Sequence, residues 1–277
     1  MTSHPFHKLQ GAGNDFVLLD TLASPLPDAF DWPRAAQALC ARNRGVGADG
    51  LLALAPSQHA DFSMRMWNPD GTEDMCGNGL RCLAAFIWRQ KYTRKSSFFV
   101  QTLSGIRQVQ VVTDEIFTIS MGKPDFAPQN IPILENNPRN YRLEIADEIL
   151  EATSLSTGST HTVLWREQLP DDAEFRFFSP QIEVCDAFPE RTSVMWTQRT
   201  DKNRFKIRIW ERGAGETLAC GTGACAVGVA AKLRFPEIAD EVFIESAGGV
   251  LSVKWKGPDE EIFLTGPAKY IFRGVWS

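Results

Sequence analysis

Short alternating or apolar runs dominate the chain and favour strands over long helices. Such runs, bounded by turn-forming residues, are typical of strands, and they occur at 16–19, 51–54, 98–100 and 205–210. Two further pairs of runs enclose tight turns and predict β-hairpins, at 109–119 and 242–255. The pattern therefore predicts a protein rich in strands.

Helical spacing of apolar residues is confined to three segments, 34–42, 80–88 and 224–233. The second and third each follow a Cys-Gly-x-Gly sequence and precede a predicted hairpin. In each half of the chain, the pattern thus predicts a strand, a loop, a helix and a hairpin, in that order. Segment 123–138 is rich in Pro and Asn and is interpreted as a linker.

This repeated order predicts an α/β (α+β) fold with two similar domains. We place the first at 1–120 and the second at 121–265, with the tail 266–277 packing back on the first. A chain of 277 residues is long enough for two domains of ordinary size.

The strongest repeat joins residues 66–79 to residues 209–223. Each copy has a Trp, a turn-rich stretch with an acid, Cys-Gly-x-Gly and then an apolar run. The two cysteines, Cys76 and Cys220, lie about half the chain apart. Because each copy of the repeat carries one thiol, we expect a functional site with two thiols.

Composition narrows the class of protein. The apolar content of 43% and charged content of 23% are typical of a soluble globular protein. A net charge of −5 argues against a nucleic-acid partner. No run approaches the ~18 apolar residues of a membrane span, and the first residues lack the pattern of a signal peptide. We therefore expect a cytoplasmic protein whose six cysteines stay reduced.

The position of the two repeated thiols suggests their chemistry. At a helix start, unpaired N–H groups and the positive end of the dipole lower the pKa of a thiol below about 8.5. The same N–H groups can hold a carboxylate where glycines allow close approach. Two such loops could grip one carboxylate and place a thiol on each face of its α-carbon. One thiolate would remove the α-proton while the opposite thiol returns a proton.

Other interpretations of the cysteines are weaker. Buried structural thiols suit Cys40, Cys82, Cys185 and Cys225, but not a matched pair of glycine loops. A phosphate-binding loop would need Gly-Lys-Ser/Thr or Gly-x-Gly-x-x-Gly, and neither copy has either. Metal-type Cys-x-x-Cys spacing is missing as well, so we expect no metal. A disulfide or redox switch between the halves remains an alternative.

Four motifs make the chain resemble the diaminopimelate epimerases over nearly its whole length: Gly-Ala-Gly-Asn-Asp-Phe at 11–16, Gly-Val-Gly-Ala-Asp-Gly at 45–50, and the two cysteine loops. The resemblance implies a cofactor-independent isomerase that interconverts L,L- and meso-diaminopimelate in lysine and cell-wall precursor biosynthesis. It implies two pseudo-symmetric domains, each a central helix wrapped by mostly antiparallel strands, with the site in a cleft. It also implies a homodimer, for which Phe272 is an apolar contact candidate.

Roles carry over position by position from that resemblance. Cys76 and Cys220 match the catalytic thiols, and His161 and Glu211 match residues that tune them. The positions that match substrate-binding residues are Asn14, Asn68, Gly77, Asn78, Glu211, Arg212, Gly221 and Thr222. Arg212 would grip a second, distal carboxylate in two places.

Two substrate-binding positions depart from the family pattern. Ser159 and Ser193 stand where the family usually has asparagine, and serine has less reach and fewer donors than an amide. The shorter reach and fewer donors of these serines should affect substrate specificity more than proton transfer. Diaminopimelate remains the favoured substrate, a racemase for another amino acid is the first alternative, and a non-catalytic binding relative is the weakest.

Overall fold

The computed structural model describes residues 3–277. Its helices are α1 (Trp32–Cys40), α2 (Gly77–Arg89), α3 (Asp172–Glu183) and α4 (Gly221–Arg234). The strands are β1 (His4–Gly11), β2 (Asn14–Asp20), β3 (Gly50–Ala55), β4 (Phe62–Trp67), β5 (Glu73–Asp74), β6 (Ser97–Thr102), β7 (Gly105–Val111), β8 (Ile116–Gly122), β9 (Tyr141–Ile145), β10 (Glu148–Ser156), β11 (Thr160–Arg166), β12 (Ser193–Asp201), β13 (Arg204–Glu211), β14 (Gly215–Thr217), β15 (Glu241–Ser246), β16 (Gly249–Lys254), β17 (Ile262–Pro267) and β18 (Lys269–Trp276).

The predicted strands and hairpins are all present. The four single strands lie within β2, β3, β6 and β13, and the two hairpins are β7–β8 and β15–β16. Several further strands were not predicted, among them β1, β9 to β12, β17 and β18. The mixed α/β fold class, mostly strands with few helices, is confirmed.

The chain forms two compact units. Unit 1 extends to Ser120 and also takes Thr265–Ser277, whereas unit 2 is Met121–Leu264. The segment 123–138, interpreted as a linker, has neither helix nor regular strand. It is nevertheless packed, because Ile131 and Ile133 are buried in the core of unit 2.

In unit 1 the strands follow one another as β18-β1-β2-β3-β4-β6-β7-β8, with the short β5 also pairing with β4. The pairs β2–β3 and β4–β6 are parallel, and the others are antiparallel. A parallel pair needs a crossover connection. Helix α1 supplies it for β2–β3, and α2 supplies it for β4–β6.

Unit 2 repeats this plan as β9-β10-β11-β12-β13-β15-β16, with β14 on β13. Here β11–β12 and β13–β15 are the parallel pairs, connected through α3 and α4. Helix α3 is thus the counterpart of α1, and α4 is the counterpart of α2. The duplication seen in the two cysteine loops therefore includes the order of helices and strands in the two units.

Helix α3 is the element that sequence patterning missed. Its N-terminus carries a capping box, in which Asp171 accepts from Glu174 N and the Glu174 side chain accepts from Asp171 N. Phe175, Phe178 and Ile182 form its buried face. Pro180 lies in the last turn of α3, and proline usually ends a helical pattern. The sequence of this segment therefore did not indicate a helix.

The two central helices bury nearly all of their side chains. Helix α2 contacts β1 to β4 and β18, and its residues 77–87 are buried. Helix α4 is built largely of Gly, Ala and Val, so strands approach it closely. A Cβ added to Gly228 would lie 2.6 Å from Val253 Cγ1 on β16. None of the helices among residues 3–277 is both long and apolar enough to cross a membrane.

Candidate active site

Cys76 caps the N-terminus of α2. The hairpin β4–β5 leads the chain to this point, and Cys76 has the extended backbone of an N-cap residue, with φ −129° and ψ 121°. Its Sγ accepts from the backbone N–H of Gly79 at 3.5 Å. The thiol thus occupies the place that a serine or aspartate usually takes at a helix start, and the side chain remains partly exposed.

Cys220 repeats this geometry at α4. Its φ of −136° and ψ of 114° are also those of an N-cap, and its Sγ accepts from Gly223 N at 3.4 Å. The Thr222 hydroxyl lies 3.4 Å from the same sulfur. Each unit therefore presents one thiol at the same position of its central helix.

The last glycine of each loop packs closely against a core side chain. A Cβ on Gly79 would lie 3.0 Å from Leu52 Cδ2, and one on Gly223 would lie 2.6 Å from Met195 Sδ. A side chain at Gly79 or Gly223 would force Leu52 or Met195 to shift.

Each helix start also presents donors to a ligand. The first N–H groups of a helix, here those of Gly77 and Asn78 in α2 and of Gly221 and Thr222 in α4, have no partner within the helix. They lie at the positive end of the helix dipole, where binding of a carboxylate is favourable. These are the four backbone positions that the sequence predicted to bind substrate.

In unit 1, two predicted asparagines are joined in one network. Asn78 donates to Asn14 Oδ1, and Asn14 Nδ2 donates to Asp49 Oδ2 at 3.1 Å. Arg81 Nη2 donates to Asn78 Oδ1 at 2.6 Å. The Asn78 side chain is buried, so its amide braces the start of α2, and what it can offer a ligand is its backbone N–H.

Asn68 lies in a turn of its own. Its Nδ2 donates to Thr72 Oγ1 at 3.1 Å, and its backbone N–H donates to Thr72 O at 2.8 Å. Gly71, at φ +91°, allows this turn. Asn68 is partly exposed on the loop that leads to Cys76.

In unit 2, the loop before β11 is tied to the start of α4. Thr157 Oγ1 donates to Thr222 O at 2.8 Å, and Gly158 in the left-handed region, at φ +102°, turns the chain beside it. Ser159 follows, half-buried, and its carbonyl accepts from Thr157 N at 3.2 Å. This brings Ser159 and Thr222 into one neighbourhood.

His161, the next predicted residue, is buried in β11. Neither of its ring nitrogens has a hydrogen-bond partner among residues 3–277. Burial, and secondarily the charge of Arg212, lower the pKa of His161 from 6.5 to about 3. The ring is therefore neutral at physiological pH.

The predicted distal residues lie at the end of β13. Arg212 donates through its backbone N–H to Ser193 Oγ at 3.1 Å and through Nη1 to Glu190 O at 3.1 Å. The guanidinium is otherwise exposed. Ser193 and Arg212 are thus brought together, and the serine that replaces the usual asparagine supports the backbone of the arginine.

Glu211 faces the other way, toward the thiol of its unit. Its Oε1 accepts from Thr217 Oγ1, and its charge acts on Cys220. The pKa of Cys220 is raised well above its ordinary value, first by burial and then by Glu211, against the lowering effect of Thr222 and Gly223.

This result corrects the sequence-based expectation for Cys220. The helix start was predicted to lower the pKa of the thiol. In the structure, the cost of burying a thiolate and the neighbouring carboxylate outweigh the favourable hydrogen bonds. Cys220 is therefore a protonated thiol at neutral pH, which suits a proton donor.

Sequence reasoning missed the side chains behind the site. Asp49, which orients Asn14, lies in the motif at 45–50, but no role was predicted for it. Glu183 at the end of α3 accepts from residues on both sides of the Glu211–Arg212 pair. The capping box at Asp171 and Glu174 was the sequence signal that could have revealed α3, and with it Glu183.

Within residues 3–277 no three His, Cys, Asp or Glu side chains are grouped so as to hold a metal ion.

Comparison with known proteins identifies the family. The model of the diaminopimelate epimerase family matches residues 6–127 and 153–271. The chain belongs to the diaminopimelate epimerase family. It is 38% identical to the diaminopimelate epimerase of Heliobacterium modesticaldum, over 97% of this chain and 98% of that protein. It is 41% identical to that of a Synechococcus species, over 98% and 97% of the two chains.

Solved structures with this fold include more distant proteins. A PhzF-family phenazine biosynthesis protein of Bacillus anthracis matches with a TM-score of 0.71 at 17% identity, over 100% of both chains. A hydroxyproline epimerase of Agrobacterium vitis matches with a TM-score of 0.70 at 12% identity, over 99% of this chain and 92% of that one. At such identities the likeness shows the fold alone.

Proposed function

We propose that the protein is a diaminopimelate epimerase, an isomerase that interconverts the L,L and meso forms for lysine and cell-wall precursor biosynthesis. One observation carries the proposal. Cys76 and Cys220 occupy the same N-cap position on the central helix of each unit, with the same sulfur-to-amide bond. Membership of the family supports the choice of substrate.

The two thiols act as the two proton carriers. One sulfur, as thiolate, takes the proton from the α-carbon, and the electron pair of the broken C–H bond stays on that carbon. The other thiol donates its proton to the opposite face, which inverts the centre and leaves the first sulfur protonated. The raised pKa of Cys220 supports its assignment as the donor in the state described.

The protein must also stabilise the carbanion, because an α-proton is a far weaker acid than a thiol. The backbone N–H groups of Gly77, Asn78, Gly221 and Thr222 hold the reacting carboxylate and stabilise the developing charge. No cofactor is needed for this chemistry. Glu211, which raises the pKa of Cys220, and His161, whose ring is neutral, are assigned the role of tuning the thiols.

Recognition of the distal end falls to the residues around β13. Arg212 has donors left for a second carboxylate, and Ser159 and Ser193 are assigned to the same end of the substrate. Asn14 and Asn68 of unit 1 are assigned to substrate binding from the resemblance to the family. A racemase for another amino acid is the second candidate, since the two serines stand where the family usually has asparagines. Deuterium exchange measured with each amino acid separates the two.

The test is incorporation of deuterium at the α-carbon in heavy water, with reduced protein. We expect exchange and epimerisation of L,L-diaminopimelate by the wild-type protein, and a rate of epimerisation that falls by at least about a thousandfold in Cys76→Ala and in Cys220→Ala. Cys185→Ala, which removes a thiol outside both loops, is the matched control and should keep full activity. Exchange only into another amino acid would favour the second candidate, and full turnover by either loop variant would refute the two-thiol mechanism.

We also propose a cytoplasmic homodimer. All six cysteines lie within residues 3–277 and none of them forms a disulfide, as expected in a reducing compartment. Strand β18 exposes three apolar side chains, Ile271, Phe272 and Val275, that a second copy of the chain would cover. Light scattering after gel filtration should give twice the mass of 30.9 kDa, and Phe272→Asp should shift the protein toward the monomer. A monomeric wild-type protein would rule out the dimer.

A further inference from the structure

A buried carboxylate lies directly behind Glu211 and Arg212 at the end of β13. Glu183, the last residue of α3, is 7% exposed. Its Oε2 accepts from Trp210 Nε1 at 2.6 Å, and its Oε1 accepts from Gly213 N at 2.8 Å. The two oxygens therefore hold the chain immediately before Glu211 and immediately after Arg212.

Glu183 is itself fixed in place. Its carbonyl accepts from Thr192 N at 3.1 Å, and Arg191 Nη1 lies 3.6 Å from its Oε1. The same segment supplies Ser193, whose hydroxyl accepts from Arg212 N. Segment 210–213 is thus attached to α3 and β12 at three points, Trp210 Nε1, Arg212 N and Gly213 N.

Such support is needed because the segment is a tight turn at a strand end. Ala214 N donates to Glu211 O at 3.0 Å, and Gly213 at φ +76° lies in the left-handed region. Turns of this kind are mobile unless side chains tie them down. A buried carboxylate that accepts from two N–H groups is a strong tie, since losing either donor leaves the charge poorly compensated.

We propose that Glu183 is a positioning residue that fixes the turn 210–213 so that Arg212 meets the distal carboxylate of the substrate. The inference deepens the proposed function and rests on it. Glu183 acts through the Trp210 indole and the backbone N–H of Gly213. Its loss should therefore weaken substrate binding and leave the proton transfer at the α-carbon intact.

The test is the variant Glu183→Gln, whose amide offers one acceptor oxygen where two donors need partners. We expect KM for L,L-diaminopimelate to rise about tenfold while kcat stays within about twofold of wild type. Hydrogen–deuterium exchange of the amides of 210–214 should become faster. The matched control is Glu174→Gln, an exposed carboxylate on the same helix, which should leave KM and the exchange of this turn unchanged.

Trp210→Phe provides a second route if Glu183→Gln does not fold. It removes one donor to Glu183, keeps the Gly213 bond, and should raise KM by a smaller factor with kcat unchanged. An unchanged KM in either folded variant, or a fall in kcat without a rise in KM, would overturn the proposal.

Failure of the proposed function gives a different result. In that case wild-type protein does not exchange deuterium into diaminopimelate, and the same KM comparison is made with the amino acid that does exchange. The exchange rate of 210–214 needs no substrate at all. If it is equal in Glu183→Gln and wild type, Glu183 does not hold the turn and the inference falls.

Discussion

The buried histidine of β11 should make the stability of the protein depend on pH in a defined window. His161 is neutral in the folded state because burial lowers its pKa to about 3, against 6.5 for the ordinary side chain. Between these two values the unfolded chain binds a proton at this position and the folded chain does not. The contribution of His161 to stability is thus fully present above pH 6.5 and is lost progressively as the pH falls toward 3.

The magnitude follows from the two pKa values. Each pH unit between them costs about 1.4 kcal/mol. From pH 7 to pH 5, the His161 contribution to the free energy of unfolding falls by about 2 kcal/mol. A loss of this size is a substantial part of the stability of a typical domain.

Urea denaturation at pH 7 and pH 5, followed by tryptophan fluorescence, measures this effect. We expect the free energy of unfolding to fall by about 2 kcal/mol more in wild type than in His161→Gln, which cannot take up the proton. The control is His59→Gln, an exposed histidine of unit 1, which should behave like wild type. Equal losses in wild type and His161→Gln would refute the reasoning, because His161 would then be charged or solvated in the folded state.

Three further predictions follow from the packing and charges of the site. Glu211→Gln removes a neighbouring negative charge, so alkylation of Cys220 by iodoacetamide should reach its half-maximal rate at a lower pH than in wild type; an unchanged midpoint would contradict the charge effect. Gly228→Ala drives a methyl group into the rigid Val253 and should cost about 1–3 kcal/mol of stability by thermal unfolding, with partial recovery when Val253→Ala is added. Asp49→Asn weakens the support of the asparagine pair in unit 1, so KM for diaminopimelate should rise severalfold at nearly constant kcat, whereas a change in kcat alone would count against this role.

The elements around the thiols could be predicted from the sequence because they depend on near neighbours. A cysteine followed by Gly-x-Gly and an apolar run forms an N-cap with its own next three residues, as at Cys76 and Cys220. The hairpins likewise depend on turn residues within a few positions. Helix α3 escaped prediction because Pro180 conflicts locally with a helix that tertiary packing sustains.

The charge state of the site was decided only by the tertiary structure. The sequence places Cys220 at a helix start, which by itself favours a thiolate, yet burial and Glu211 keep it protonated. His161 is neutral for the same reason, and Glu183 reaches the turn after β13 from a helix about thirty positions earlier in the chain. Local sequence determines backbone form and the residue types available for chemistry. Burial and the partners of a charge depend on residues distant in sequence, and these set the pKa values and the direction in which the functional side chains face.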